Sequence, residues 1–199
     1  MTDFPLMTYV ATMSVTPGPN NLMLAASGVN FGFRRTLPHM LGVSVGHGIQ
    51  VGIVAGLLTW VLGWLDALRL ELVLAGCSYL FWLAWRQAGA GQPGGGGETR
   101  PLGFFGAALF QWVNPKAWVM VLNTAIIFLP RGGGWGAACS LAAMCMLINF
   151  PCISLWAVVG DRLRFRLRDP LVLRLFNYAM ASLLGGTAVW IIVDELLVR

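Results

Sequence analysis

Charge is what this sequence has least of. Asp, Glu, Lys and Arg make up 11% of its 199 residues, against about 25% in soluble globular domains. A water-soluble fold is excluded on that ground. The eight carboxylates avoid the middle of every long apolar run, with Asp66 and Asp161 at run ends. The usual buried carboxylate proton carrier is therefore missing, and so is a carboxylate cage for a cation. Only two histidines occur, His39 and His47. The four cysteines, Cys77, Cys139, Cys145 and Cys152, all stand in apolar runs, with neither disulfide-framework nor metal-ligand spacing. They read as small packing residues, and neither a metal nor a cofactor is expected. No basic residue precedes the first apolar run, so residues 4–28 read as a retained membrane span rather than a secretory leader. The net charge of +5 fits orientation in a bilayer, and no nucleic-acid partner is expected.

What fills the chain instead is apolar: 57% of residues are hydrophobic, with a mean hydropathy of +0.73. A spanning helix needs about 20 mainly apolar residues. Six runs qualify: Phe4–Gly28, Leu37–Trp64, Leu68–Trp85, Leu102–Leu129, Trp135–Gly160 and Leu171–Val193. The third is the weakest, because Arg69 and Glu71 sit in its first turn and must reach back to the interface. The expected fold is an all-α integral membrane protein of six transmembrane helices, arranged as two inverted three-helix repeats with broken first and fourth helices. A Gly-rich linker, "AGAGQPGGGG", opens the stretch 88–99 between halves 1–87 and 100–199 of one transporter domain covering 1–199. Three spans per half force the halves to point opposite ways.

Lys and Arg counts in the connections set the orientation. The first, third and fifth connections hold Arg34, Arg35, Arg86, Arg100, Arg162, Arg164, Arg166, Arg168 and Arg174. The other side holds Arg69, Arg131 and Arg199. Odd connections are thus expected in the cytoplasm and both termini outside it. Trp64, Trp85 and Trp135 fall near span ends, as in an aromatic belt. The run "DRLRFRLRDP" (161–170) spaces its basic residues two apart and reads as a solvated loop against anionic lipid.

Two breaks carry the functional reading. The first span contains "TPGPNN" (16–21) and the fourth "NPKAW" (114–118). A shift of 98 residues puts Pro17 on Pro115, Thr16 on Asn114 and Val15 on Val113. Proline removes a donor and unseats a carbonyl about one turn earlier. Such backbone must line protein or water, because an orphan in lipid costs several kcal/mol. Matched broken helices in inverted halves are the pointer to a transporter site. The candidate substrate-binding residues are Thr16, Pro17, Gly18, Pro19, Asn20 and Asn21 with Asn114, Pro115 and Lys116. Freed N–H groups near Asn20 and Asn21, with Lys116, are expected to take a substrate carboxylate. Freed carbonyls of Ser14–Thr16 and Trp112–Asn114 are expected to take its ammonium. Two alternatives stay open for Lys116: it bonds a freed carbonyl of the first break, or its stem snorkels to water.

His47 is the proton-coupling candidate, the only near-neutral titrating group well inside a span; a hydrogen-bonded interior histidine is the alternative. His39, near a span end, is uninformative. Asn149 before Pro151 marks a soft point in the fifth span. Gly28, Gly32, Gly42, Gly46, Gly52 and Gly56 recur at roughly helical spacing, which close helix contact explains.

Several stretches resemble the LysE/RhtB family of amino-acid exporters. They are "TPGPNNLML" (16–24), "GVNFGFRRTLPHMLGVSVGHG" (28–48), "AGCSYLFWLAWR" (75–86) and "QWVNPKAW" (111–118). The resemblance runs in order along nearly the whole chain. It maps the family's Pro-Gly-Pro onto Pro17, Gly18 and Pro19, and its Asn-Pro-Lys onto Asn114, Pro115 and Lys116. It implies a secondary carrier of the bacterial inner membrane that exports amino acids or close derivatives by alternating access, coupled to the proton gradient. "TPGPNN" with "LAWR" is most similar to the cysteine and O-acetylserine branch. The chain departs from the family at Arg35 and Thr36, where a small residue and glycine are usual, and after Pro130, where Arg131 and Gly132 replace Gln-Phe. The rivals are an exporter of cations or other solutes, an intramembrane enzyme using Ser44 or Ser27 with His47, and a scaffold or sensor. The expected partners are an amino-acid substrate and the lipid bilayer, and small-residue faces would permit a homo-oligomer.

Overall fold

A computed structural model describes residues 3–89, 101–130, 134–164 and 169–193. Outside them lie most of the Gly-rich linker, Arg100, Arg131, Arg166, Arg168 and Arg199; the side chains of Trp64, Asp66, Arg69 and Arg86 are likewise undescribed. Among the described residues there are eight helices and no strand: α1 (Asp3–Val15), α2 (Pro19–Phe31), α3 (Phe33–Gly56), α4 (Leu58–Ala88), α5 (Phe104–Phe110), α6 (Pro115–Phe128), α7 (Gly134–Leu163) and α8 (Pro170–Val193). Only α7 among them is both long and apolar enough to cross a membrane by itself.

Both proline stretches separate helices. Pro19 begins α2 and Pro115 begins α6, the position where proline's missing N–H and fixed φ cost least. By place in the helix, then, Pro115 corresponds to Pro19 and not to Pro17, a spacing of 96 residues rather than the 98 of the sequence match. Gly32 is the one non-helical residue between α2 and α3; its φ of 81° suits glycine, and it puts Arg34 and Arg35 in the first turn of α3, exposed. The expected connection near residues 65–67 is displaced. Helix α3 stops at Gly56, and α4 runs unbroken from Leu58. Residues 57–64 are apolar on both sides of that turn, so hydropathy carries no mark of it.

Side-chain contacts give the helix directions. Ser14 meets Asn149, Val15 meets Trp156, and Gly28 lies against Ala157; α1 and α2 therefore run parallel to α7. Ser44 meets Met146 while Gly56 meets Trp135, so α3 runs against α7. Gly42 meets Phe104 and Gln50 meets Gln111, so α5 runs along α3. Lys116 meets Thr16 while Phe128 meets Tyr9, with ring centroids 5.8 Å apart, so α6 opposes α1. Helices α4 and α8 are antiparallel, joined by Gln87 to Asn177 (2.9 Å) and Cys77 Sγ to the Ala188 carbonyl (3.6 Å).

Large apolar side chains cover the exterior, while several polar ones are buried beside an apolar core. Leu147, Phe105, Leu109, Leu171 and Ile127 are exposed, whereas Asn21, Thr36, Ser44, Gln50, Gln111 and Asn149 are buried. Large exposed apolar surface is intolerable in water but is the natural outer face in lipid. Two apolar clusters bracket the polar residues. One joins Leu6, Val10, Val51, Trp118, Val121 and Leu141; the other joins Leu24, Met40, Val43, Ala107, Ile153 and Ala157.

The tightest contact is that of α2 with α7. A Cβ at Gly160 would overlap the Ala25 backbone, and one at Gly28 the Ala157 carbonyl. Gly42 and Gly46 meet α5 equally closely, while Gly52 has only ordinary contacts. Overpacking costs about 1–3 kcal/mol. Gly160→Val should therefore lower the thermal midpoint in detergent by about 2–12 °C. Gly136→Val, where nothing lies within 4 Å of a new Cβ, should leave it within about a degree.

Candidate functional site

An interrupted helix leaves its last carbonyls without intrahelical donors. At the end of α1 every one of them is met. Thr16 Oγ1 donates to the Met13 carbonyl (2.9 Å). Asn21 Nδ2 reaches back to Ser14 and Thr16 (both 2.7 Å). Trp156 Nε1 donates to Val15 (3.0 Å). Lys116 Nζ donates to the Thr16 carbonyl (2.7 Å), Thr16 Oγ1 (2.8 Å) and the Pro17 carbonyl (3.2 Å). Those three bonds use the whole donor set of an ammonium. Of the alternatives for Lys116, bonding to the first break is the one observed. The carbonyls expected to await a substrate ammonium are occupied by the protein's own donors.

The second break is built differently. After α5, the N–H groups of Gln111, Trp112 and Val113 bond carbonyls three residues back, a tight turn that ends at Asn114. Asn114 caps α6, its Oδ1 accepting from Lys116 N–H (3.1 Å), as an Asn at that position does. Two of the freed carbonyls here are also taken: Gln50 Nε2 donates to Gln111 (3.2 Å) and Trp118 Nε1 to Trp112 (2.8 Å).

Two ties cross from break to break. Lys116 is one. The other is a reciprocal amide pair: Asn20 Nδ2 donates to Gln111 Oε1 (2.9 Å), and Gln111 Nε2 to Asn20 Oδ1 (3.2 Å). Between the breaks and the long helices α3 and α7 lies a cavity of about 30 Å³, lined by Gly18, Asn20, Asn21, His47, Lys116 and Asn149 among others. A water needs roughly 10–15 Å³ by the same measure, so this space holds a few waters at most and no amino acid. Of the sequence-derived candidates, Gly18, Asn20, Asn21, Asn114, Lys116 and His47 share the cavity lining. Thr16 and Pro17 sit behind Lys116, and Pro19 and Pro115 start the two half-helices without lining it. His47 is buried, and its Nε2 has no partner among the described residues. The sequence reading missed Gln111 and Gln50 as hydrogen-bonding side chains, the Ser14 Oγ as a partner of Asn149, and Trp156 as a backbone donor. An uncharged amide inside an apolar run was the available signal.

Ser44 Oγ donates to the Met146 carbonyl (2.9 Å), and Ser27 pairs with Thr36 Oγ1 (2.8 Å). Among the described residues no three His, Cys, Asp or Glu side chains cluster.

An apolar exterior and a polar cleft between two cross-tied helix interruptions define an all-helical membrane protein. The chain belongs to the LysE type translocator family, which matches residues 11–195; the family that the motifs suggested is the one found. The chain is 35% identical over 195 residues to the cysteine/O-acetylserine efflux protein of Klebsiella pneumoniae subsp. pneumoniae, covering 94% of this chain and 95% of that one. Proteins of the same description from Escherichia coli O1:K1 and Escherichia coli K12 are 31% and 30% identical over 158 residues, 77% of this chain and 79% of theirs. No solved structure matches. Membership implies a multi-pass protein of the inner membrane that moves a small-molecule substrate.

The amide pair yields a direct test. Removing one partner strands a buried polar group at a cost of about 1–3 kcal/mol. Asn20→Leu and Gln111→Leu should each lower thermal stability in detergent. The double variant should lose less than the sum, with a coupling of about 0.5–3 kcal/mol; strict additivity would mean that the pair does not tie the breaks.

Proposed function

We propose that this protein exports cysteine, O-acetylserine or a similarly small amino acid across the inner membrane, by alternating access at the cleft between the two breaks. The observation that carries the reading is the pair of interrupted helices, running in opposite directions and tied to each other by Lys116 and by Asn20–Gln111. The relatives' efflux of cysteine and O-acetylserine supplies the substrate class.

The eight helices reduce to six spans when α1 joins α2 and α5 joins α6. Thirteen residues at about 1.5 Å each reach roughly 20 Å, too short alone, whereas α1 with α2 exceeds the bilayer's apolar thickness of about 30 Å. The inverted repeat is supported by the exchange between halves: α1 and α2 pack on α7, α5 and α6 on α3, and α4 on α8. Arginine counts favour both termini on the outer side.

The closed cavity requires the halves to part before an amino acid can occupy it. A substrate carboxylate gives Lys116 a better partner than the neutral carbonyls of Thr16 and Pro17, because opposite full charges add Coulomb attraction to the hydrogen bond. Binding would therefore draw Lys116 off the first break and loosen one tie, linking occupancy to opening. The N–H groups of Asn20 and Asn21, which start α2 next to that point, favour the same carboxylate. Exchange against protons is the coupling we propose, with His47 as the titrating group.

A hydrolytic enzyme is disfavoured because Ser44 donates to the Met146 backbone and Ser27 to Thr36, or accepts from it. A cation exporter is disfavoured by the neutral and basic lining.

Efflux from cells or vesicles preloaded with cysteine or O-acetylserine tests the reading, compared with vesicles lacking the protein. Lys116→Met should cut the initial rate at least tenfold with the protein still inserted. Efflux at the wild-type rate would remove Lys116 from the mechanism.

A further inference from the structure

The cavity has two chemically different sides. On the side of the broken helices stand the Lys116 ammonium and the start of α2. On the side of the long helices stand His47, from α3, and Asn149, from α7; both line the cavity. They are brought level because Ser44 and Gly48, either side of His47, both meet Met146, one turn before Asn149 on α7.

These two side chains are 2% and 5% exposed, yet His47 Nε2 and Asn149 Oδ1 have no partner among the described residues. A buried polar atom left unpaired costs about 1–3 kcal/mol, and nearly all such atoms in folded proteins are paired. Two on one cavity wall are a lasting cost unless a ligand meets them. Their chemistry is narrow. Asn149 commits its donor, Nδ2, to Ser14 Oγ (2.9 Å), so its acceptor is the atom left without a partner. A neutral imidazole offers one acceptor nitrogen. One turn along α3, Gln50 repeats the pattern: Nε2 is committed to the Gln111 carbonyl and Oε1 is buried without a partner.

A wall of acceptors suits a ligand group with several donors and no acceptor, which is what a primary ammonium is. The other acceptors that a broken helix provides are not vacant. Asn21, Trp156 and Lys116 hold the carbonyls of Ser14, Val15, Thr16 and Pro17. We propose that His47 Nε2 and Asn149 Oδ1 receive the α-ammonium of the transported amino acid, whose carboxylate lies toward Lys116. The assignment rests on the exporter reading and fixes which way the substrate lies in the cleft. Val43, Met120 and Ile153, which complete this part of the lining, then face the substrate's side chain.

The test uses the purified full chain in proteoliposomes, with cysteine kept reduced as the transported probe. Two inhibitors each lack one end of it: cysteamine has no carboxylate, and 3-mercaptopropionate has no ammonium. Asn149→Ala and His47→Phe should each raise the KM for cysteine and the inhibition constant of cysteamine at least tenfold, while that of 3-mercaptopropionate changes less than twofold. Lys116→Met should give the mirror pattern. Asn149→Asp keeps an acceptor at the same place and adds charge. It should leave cysteamine inhibition equal or stronger and weaken 3-mercaptopropionate, which guards against reading a folding defect as a lost contact. Equal weakening of both inhibitors by Asn149→Ala and His47→Phe would overturn the assignment. If the wild type moves neither cysteine nor O-acetylserine, the exporter reading falls first and this assignment with it, a failure visible before any variant is made.

Discussion

Every backbone carbonyl freed in a lipid-embedded chain must find a donor within the protein. The first break frees a run of them, and the architecture around it supplies the donors from three directions. Asn21 folds back from the next half-helix, Trp156 reaches over from α7, and Lys116 arrives from α6. Of these, only the Asn21 bonds are local, reaching five and seven residues back. A break in α1 is tolerated only if α6 and α7 are beside it, which is why the half-helices of one part of the chain pack on the long helix of the other. The glycine contact of α2 with α7 serves the same end, since the Trp156 bond needs the two backbones close.

On the proposed exporter reading, the same constraint leaves the structure room to move. Bonds from side chains to a freed carbonyl can be exchanged for bonds to a ligand, whereas helix bonds cannot be given up cheaply in lipid. Lys116 and the Asn20–Gln111 pair are exchangeable in this sense, and they are also the ties between the breaks. A cavity of about 30 Å³ is too small for an amino acid in the present state. On the proposed assignment, the unpartnered acceptors of His47 and Asn149 gain their bonds from the substrate. On that reading, ties given up for ligand bonds are the physical basis of a carrier that opens when loaded.

Much of the fold could be read in advance, and the limits are physical. Proline at 17, 19 and 115 marks the interruptions because its backbone chemistry is the same in any environment. The turn at Leu57 was invisible, since an apolar turn between apolar helices changes neither hydropathy nor charge. The proline match slips by two residues: the sequence aligns Pro17 with Pro115, but Pro19 and Pro115 are the prolines that start a helix. At the site, Lys116 and the asparagines next to the prolines stood out as costly groups in an apolar run. Its bonding to the first break was one of the alternatives the sequence left open. Gln50 and Gln111 cost nearly as much to bury, yet neither is charged nor beside a proline, and only the packing of α3 on α5 brings them together. The Ser14 hydroxyl and the Trp156 indole N–H are atoms that no motif distinguishes from those of ordinary packing residues.

The central claim is that the substrate lies between the two breaks. It is tested most directly by protection of a reactive group placed there. With Cys77, Cys139, Cys145 and Cys152 replaced by serine or alanine, Met120→Cys puts a thiol on the cavity lining. Its rate of alkylation by a small maleimide should fall several-fold in saturating O-acetylserine and be unaffected by acetate. A rate unchanged by O-acetylserine, in a variant that still exports it, would contradict a site between the breaks.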